Sequence, residues 1–195
     1  SDIATAASAD NAGTLALASN FGATVSTGAV DAADLITIYG QTSATINATA
    51  ATGINGSAAN VHTVIDHAQV NHDTNFTVTI SGTSAAAADL KAIDAITSGI
   101  ITATGVATIT GSLVDVGDVI DVDTDKGNAG QQIDIDTDYN VTLSDTGTMS
   151  ASALNTLNGK VPGTVTVTNV VTLTGSASDI ATAASADNAG TLALA

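Results

Sequence analysis

The chain of 195 residues has no cysteine, no tryptophan, no glutamate and no arginine, and one proline, Pro162. Without cysteine there is neither a disulfide nor a thiolate site. Without arginine the only cations are Lys91, Lys126 and Lys160, set against 19 aspartates, for a formal net charge of −16. Recognition of nucleic acid rests on clustered Lys and Arg that neutralise phosphates. The charge balance therefore argues against a nucleic acid partner, and equally against attraction to an anionic membrane surface. No run approaches the 18 or so consecutive apolar residues of a membrane span, so membrane insertion is not expected. Aromatic residues are also scarce: Phe21, Tyr39, Phe76 and Tyr139. Large side chains usually dominate the burial energy of a thick core, so a thin layer filled by Ala, Val, Ile and Leu is the expectation. An initiator methionine and a leader peptide are both lacking, which points to a segment from the interior of a longer polypeptide.

What the chain does have is repetition. Residues 1–18, SDIATAASADNAGTLALA, recur without substitution as residues 178–195, a period of 177. A shorter repeat lies within it. The pairs Gly56-Ser57, Gly111-Ser112 and Gly175-Ser176 anchor three diverged subrepeats of about 59 residues each. At equal offsets from these glycines stand Leu35, Leu90 and Leu154; Ile38, Ile93 and Leu157; Ile46, Ile101 and Val165; Ile54, Ile109 and Leu173; and Val61, Val116 and Ile180. The chain is accordingly read as a window on a longer tandem array. Residues 1–18 end one subrepeat, 19–75 form the next, 76–139 the second with an acidic insertion, and 140–195 the third, ending in the copy of 1–18.

Each subrepeat alternates strand and helix patterns. Residues 76–82 alternate with period two, Val78 and Ile80 facing one way and the threonines the other. Residues 84–94 read as a helix with Ser84 as N-cap, followed by strands at 100–103 and 107–110. A Ser-x-x-Asp/Asn signature at Ser57, Ser112 and Ser176 reads as a variant capping box. A strand-plus-helix unit of about 30 residues cannot bury its apolar face alone, whereas stacked neighbours can. The expected fold is a β-rich α/β repeat solenoid of six strand-plus-helix turns per period, with a parallel sheet. The alternative is a parallel β-helix whose helical segments are only turns.

The acidic stretch 121–138 is the most informative local feature. Asp121, Asp123 and Asp125 alternate with other residues, as do Asp134, Asp136 and Asp138, around a loop KGNAGQQ. If both runs are strands, each carries three carboxylates on one face, and pairing them sets like charges together. Ca²⁺, which takes six to eight oxygen ligands, would resolve that conflict, and these six aspartates are its candidate ligands. The other reading is a solvated acidic insertion that protects an edge.

His62, His67 and His72 recur every five residues, a spacing that neither a helix nor a strand brings to one point. Ser, His and Asp are present but the Gly-x-Ser-x-Gly elbow and phosphate-binding glycine loops are not, so an enzyme is not expected. Thr-x-Thr pairs at Thr77/Thr79, Thr102/Thr104, Thr108/Thr110, Thr164/Thr166/Thr168 and Thr172/Thr174 suit an outward strand face, and also resemble the threonine ladders of ice-binding solenoids. Asn-x-Ser/Thr sites at Asn47, Asn55, Asn75 and Asn140 leave a glycan possible.

The run VTLSDTGTMSASALNTLNGK…GTVTVTNVVTLTGSASDI, residues 141–180, resembles tandem repeats of very large secreted bacterial proteins, notably of cyanobacteria, that accompany haemolysin-type Ca²⁺ arrays, surface layers and adhesins. The resemblance implies an extracellular or cell-surface structural role with copies of itself as partner. The Gly-Gly-x-Gly-x-Asp nonapeptide of those Ca²⁺ arrays is absent, so their ligands do not carry over to these residues.

Overall fold

A computed structural model describes residues 2–121 and 132–194. It is a mixed α/β structure whose sheets are parallel and do not close into a barrel. In chain order the elements are α1 (Asp2–Asn11), β1 (Ala23–Thr24), β2 (Gly28–Asp31), α2 (Ala32–Tyr39), β3 (Ile46–Asn47), β4 (Ala51–Gly56), α3 (Ala58–Ile65), β5 (Val70–Asn71) and β6 (Thr77–Ile80). Then come β7 (Ser84–Ala86), α4 (Ala87–Asp94), β8 (Ile101–Ala103), β9 (Thr108–Gly111), α5 (Leu113–Asp121), β10 (Ile133–Ile135) and β11 (Asn140–Leu143). The last are β12 (Gly147–Ser150), α6 (Ala151–Asn158), β13 (Val165–Val167), β14 (Val170–Thr174), α7 (Ala177–Ala189) and β15 (Leu192–Leu194).

The chain divides into two compact units, Ser1–Ser81 with Ala92–Thr102, and Gly82–Lys91 with Ala103–Ala195. In the first unit β1, β3 and β5 pair in parallel through Ala23, Ile46 and Val70. There β2, β4, β6 and β8 pair through Val30, Ile54, Val78 and Ile101. Each step in these ladders is 23 or 24 residues. In the second unit β7, β9, β11, β13 and β15 pair through Ala85, Ile109, Val141, Val165 and Leu192. Beside them β12 pairs β14 through Met149 and Leu173. The step from Ile109 to Val141 is the longest, at 32 residues, because the acidic stretch lies within it. Parallel neighbours need a crossover between them, and here the crossover carries a helix.

The helices form where the repeat pattern puts them. α2, α4 and α6 share Ala-x-x-Leu-x-x-Ile/Leu, and Leu35, Leu90, Leu154, Ile38, Ile93 and Leu157 are all buried. Their i, i+3 spacing sets both side chains on one face. The capping serines act as the pattern requires. Ser57, Ser112 and Ser176 Oγ accept from the amides of Asn60, Asp115 and Asp179 at 3.2, 3.1 and 3.1 Å. The aspartates do not reach back to the backbone; each carboxylate instead accepts from the serine hydroxyl, at 2.8 Å for Asp115 and 2.7 Å for Asp179.

The glycine before each of these serines has a packing reason. Gly56, Gly111 and Gly175 have φ of +152°, +155° and +145°, a region that side chains rarely enter. A Cβ on them would lie 3.2, 3.2 and 3.7 Å from the Cβ of Ala32, Ala87 and Ala151. Those alanines open α2, α4 and α6, each 24 residues earlier. Glycine over alanine is thus the close contact that seats one strand-plus-helix turn on the next, repeated three times.

Two local expectations are corrected. Ser84 does not cap a helix: Ser84, Ala85 and Ala86 form β7, opposite Thr108, Ile109 and Thr110 of β9. The helix starts at Ala87, because parallel pairing outweighs the helix propensity of an alanine run. Nor are the helical segments mere turns, as the β-helix alternative required: among the described residues seven α-helices of eight or more residues are present. The arrangement is compatible with stacked strand-plus-helix turns, six helix-to-helix intervals separating the two copies of the repeated stretch.

Candidate functional site

The acidic stretch does not start as a strand. Asp121 is the last residue of α5, and its carboxylate meets Lys160 Nζ at 2.6 Å. Asp123 and Asp125 lie outside the described residues. Asp134 stands on β10 between the buried Ile133 and Ile135, so its side chain points away from the core. The strand ends there. The Asp136 carboxylate accepts from the Thr137 amide at 2.7 Å, and Asp138 is exposed in the turn that follows. The alternation Asp-x-Asp-x-Asp therefore continues in sequence but not in one extended face. Among the described residues no group of three or more histidines or aspartates is placed to hold a metal ion.

Part of the acidic charge is met by turn-to-turn bridges. Lys91 on α4 donates to Asp115 at 2.7 Å and to Asp118 at 2.8 Å, both on α5. The bonds to Asp115 and then Asp118 hold the lysine above its ordinary pKa. The bond from Lys91, and then that from Ser112, hold the Asp115 carboxyl below its ordinary value. Asp94 is shifted the other way, upward, by burial. Sequence reading did not single out Lys91; the available signal was its separation of 24 residues from Asp115, one full strand-to-strand step. These groups are solvent-accessible, so the bridges orient neighbouring turns more than they stabilise them.

The three histidines do not converge on one site. His67 stacks on Tyr39, ring centroids 4.0 Å apart and 14° from parallel. The ring of His72 meets the carbonyls of Asp73 and Ile65 at 2.7 and 3.0 Å and packs edge-on to Phe76. The rings of His67 and His72 thus meet aromatic rings and backbone. The threonines do line up: Thr110, Thr142 and Thr166 are consecutive rungs of one sheet, and Thr148 stands opposite Thr172.

The most distinctive geometry belongs to the duplicated stretch. Both copies keep the same helix and the same turn after it, while only the second continues into a strand, β15. The Asp10 carboxylate accepts from the Leu17 amide at 2.7 Å, as Asp187 does from Leu194 at 2.8 Å. Gly13 and Gly190 have φ of +71° and +79°. Thr14 and Thr191 both cap back to a helix carbonyl, Ala9 and Ala186, at 3.1 and 3.3 Å. The faces they bury differ. In the first copy Ala4 and Ala7 are buried while Leu15 is 41 % exposed. In the second, Ala183 and Leu192 are buried while Ala181 and Ala184 are exposed and Ile180 is 37 % exposed. No protein-family model matches this chain, and no curated protein or solved structure is detectably similar to it.

Proposed function

We propose that this chain is a structural segment of an extracellular tandem-repeat protein, an α/β solenoid that builds a fibre, sheath or surface-layer-like assembly from successive copies of itself. The observation that carries this reading is the glycine-on-alanine contact made once in each of three diverged subrepeats, Gly56 on Ala32, Gly111 on Ala87 and Gly175 on Ala151. A contact reproduced at a fixed 24-residue step is a rule for adding turns, and nothing in it limits their number. The composition supports the same role. A core of Ala, Val, Ile and Leu with few aromatics suits a thin layer, and a charge of −16 keeps an exposed array soluble. Bound Ca²⁺ on Asp121, Asp123, Asp125, Asp134, Asp136 and Asp138 would stiffen the array at its acidic insertion. Electron micrographs of a chain carrying several periods test the proposal: uniform thin rods with a constant axial repeat support it, and compact particles without one overturn it.

A second reading is a binding module, an adhesin for glycan or ice. The rungs Thr110, Thr142 and Thr166 favour it over catalysis, since they repeat a hydroxyl at the strand spacing of about 4.8 Å. Thermal hysteresis or glycan binding by the isolated chain would establish that function; their absence leaves the structural role.

A further inference from the structure

The charges of this chain are sorted by element. Among the described residues of the second unit, Asp115, Asp118, Asp121, Asp179 and Asp187 lie on helices, and Asp136, Asp138 and Asp145 lie in turns. Among the strands of that unit only β10 carries a charge, Asp134. The strands β7, β9, β11, β13 and β15, which form one sheet, carry none, and neither do β12 and β14. In a chain with 19 aspartates and three lysines, a whole sheet without a carboxylate is a distinct surface.

The register gives that surface its composition. On one side of the sheet Ile109, Val141 and Val165 form a buried row. On the other side Thr108, Asn140 and Thr164 form one row, and Thr110, Thr142 and Thr166 a second. None of these six is buried. Successive strands set them about 4.8 Å apart, and the two rows lie roughly 7 Å apart along the strands. These are interior rungs, since β9, β11 and β13 are each paired on both sides. Thr110 Oγ1 donates to the Ala85 carbonyl at 3.4 Å and Thr164 Oγ1 to that of Gly190 at 3.3 Å. Hydroxyls turned onto the neighbouring rungs leave their methyl groups to a partner.

We infer that two arrays of this chain lie side by side with this uncharged strand face of each against that of the other, so that the partner is a second copy. This deepens the fibre reading above and rests on it: stacked turns extend in one dimension, and a sheath or layer needs a second. Chains of like charge repel, and this face is where the carboxylates are missing. Packed sheets sit about 10 Å apart, about one Debye length at 0.1 M salt, so a charge on either face would be felt by the other. A twofold contact brings the same patch from both sides, here methyl and amide groups. The helix side offers no such approach. Val114 of α5 is 65 % exposed, but around it Asp115, Asp118 and Asp121 outnumber Lys91 and Lys160. One period presents a small patch, and each added period repeats it in line, so weak contacts multiply along the array.

Sedimentation velocity of the full chain over a range of concentrations tests this, with thermal hysteresis measured alongside. The parent should self-associate, more tightly as salt rises, and a chain of two covalent periods should do so at least about tenfold more tightly than one. Asn140→Asp is nearly isosteric, keeps an acceptor oxygen for the Thr164 amide, and sets a charge on the face. It should leave melting unchanged and weaken association at least about tenfold, because a twofold contact receives the charge twice. Thr142→Asp, on the same strand, should weaken association likewise. Ser152→Asp, at an exposed position of α6, adds the same charge elsewhere and should associate like the parent, as should Thr142→Val, which keeps the methyl groups. A parent that stays monomeric at both lengths, or a Ser152→Asp chain weakened as much as Asn140→Asp, overturns the pairing. So does thermal hysteresis in a monomeric parent that Asn140→Asp abolishes, which gives the face to ice. Micrographs of the two-period chain separate this from the fibre reading: single rods of constant axial repeat overturn the pairing and keep the fibre, and compact particles overturn both.

Discussion

Replacing Ile54, Ile109 and Leu173 by alanine, one at a time, measures what covering a turn is worth. The three residues are equivalent in the repeat, yet Ile54 and Ile109 are fully buried and Leu173 is half-buried. Each replacement removes three methylene-sized groups, about 2.4 kcal/mol of transfer energy at ~0.8 kcal/mol each. At Ile109 the strand neighbours are Ala85 and Val141, held in register by the ladders on both sides, so the space left cannot close. A cavity cost of roughly 1–2 kcal/mol is then added, for a total of about 3.4–4.4 kcal/mol. At Leu173 part of the side chain is already in water and no sealed cavity forms, so the cost is about 1.5–2 kcal/mol. Urea unfolding followed by circular dichroism should place Ile54→Ala and Ile109→Ala together, about 2 kcal/mol below Leu173→Ala. In a chain of two covalent periods the inner Leu173 should join the costly pair. Equal costs at all three positions in the single period, or no rise for the inner Leu173, would refute the claim that each turn is sealed by the next.

Further outcomes follow from the same geometry. Gly111→Ala must hold a side chain at φ +155° with its Cβ 3.2 Å from that of Ala87, and should cost about 1–3 kcal/mol. Gly105→Ala, with open space around it, should be nearly neutral in the same unfolding assay. Asp115 has a lowered carboxyl pKa in the folded chain because Lys91 bonds to it. Its contribution is therefore complete above the unfolded carboxyl pKa and lost as pH falls through the folded one, so Lys91→Met should remove that part of the acid limb from a plot of melting temperature against pH. Asp94, raised by burial, has the opposite sign: its charge is penalised at neutral pH, so Asp94→Asn should stabilise there and lose its advantage in acid. Chelator should lower the melting temperature if Ca²⁺ binds the folded acidic stretch, because a ligand selective for the native state raises it; an unchanged midpoint retires Ca²⁺.

Much of the layer was legible in advance because it obeys spacing alone. Leu35 and Ile38, Leu90 and Ile93, and Leu154 and Leu157 lie three apart on helices that bury both, and Ser112 caps because serine oxygen suits a helix start. The 24-residue step was less visible. It links glycine to an alanine, and two such common residues give no signal until the backbone brings them to 3.2 Å. Ser84 was misplaced for a related reason: an alanine run favours helix locally, and only the neighbouring strand, unseen in sequence, draws Ser84–Ala86 into the sheet. The acidic stretch was the least legible. Alternating aspartates suit a strand face, but Asp121 completes a helix and Asp138 sits in a turn. Whether carboxylates converge depends on the path of the chain, which alternation does not encode.

The proposed array makes one central claim: turns stack along one axis, so that adding a period lengthens the molecule and leaves its thickness unchanged. Small-angle X-ray scattering of one period and of two covalent periods measures both dimensions at once. The claim predicts a maximum dimension that nearly doubles at a constant cross-sectional radius of gyration. A cross-section that grows along with the length would contradict it.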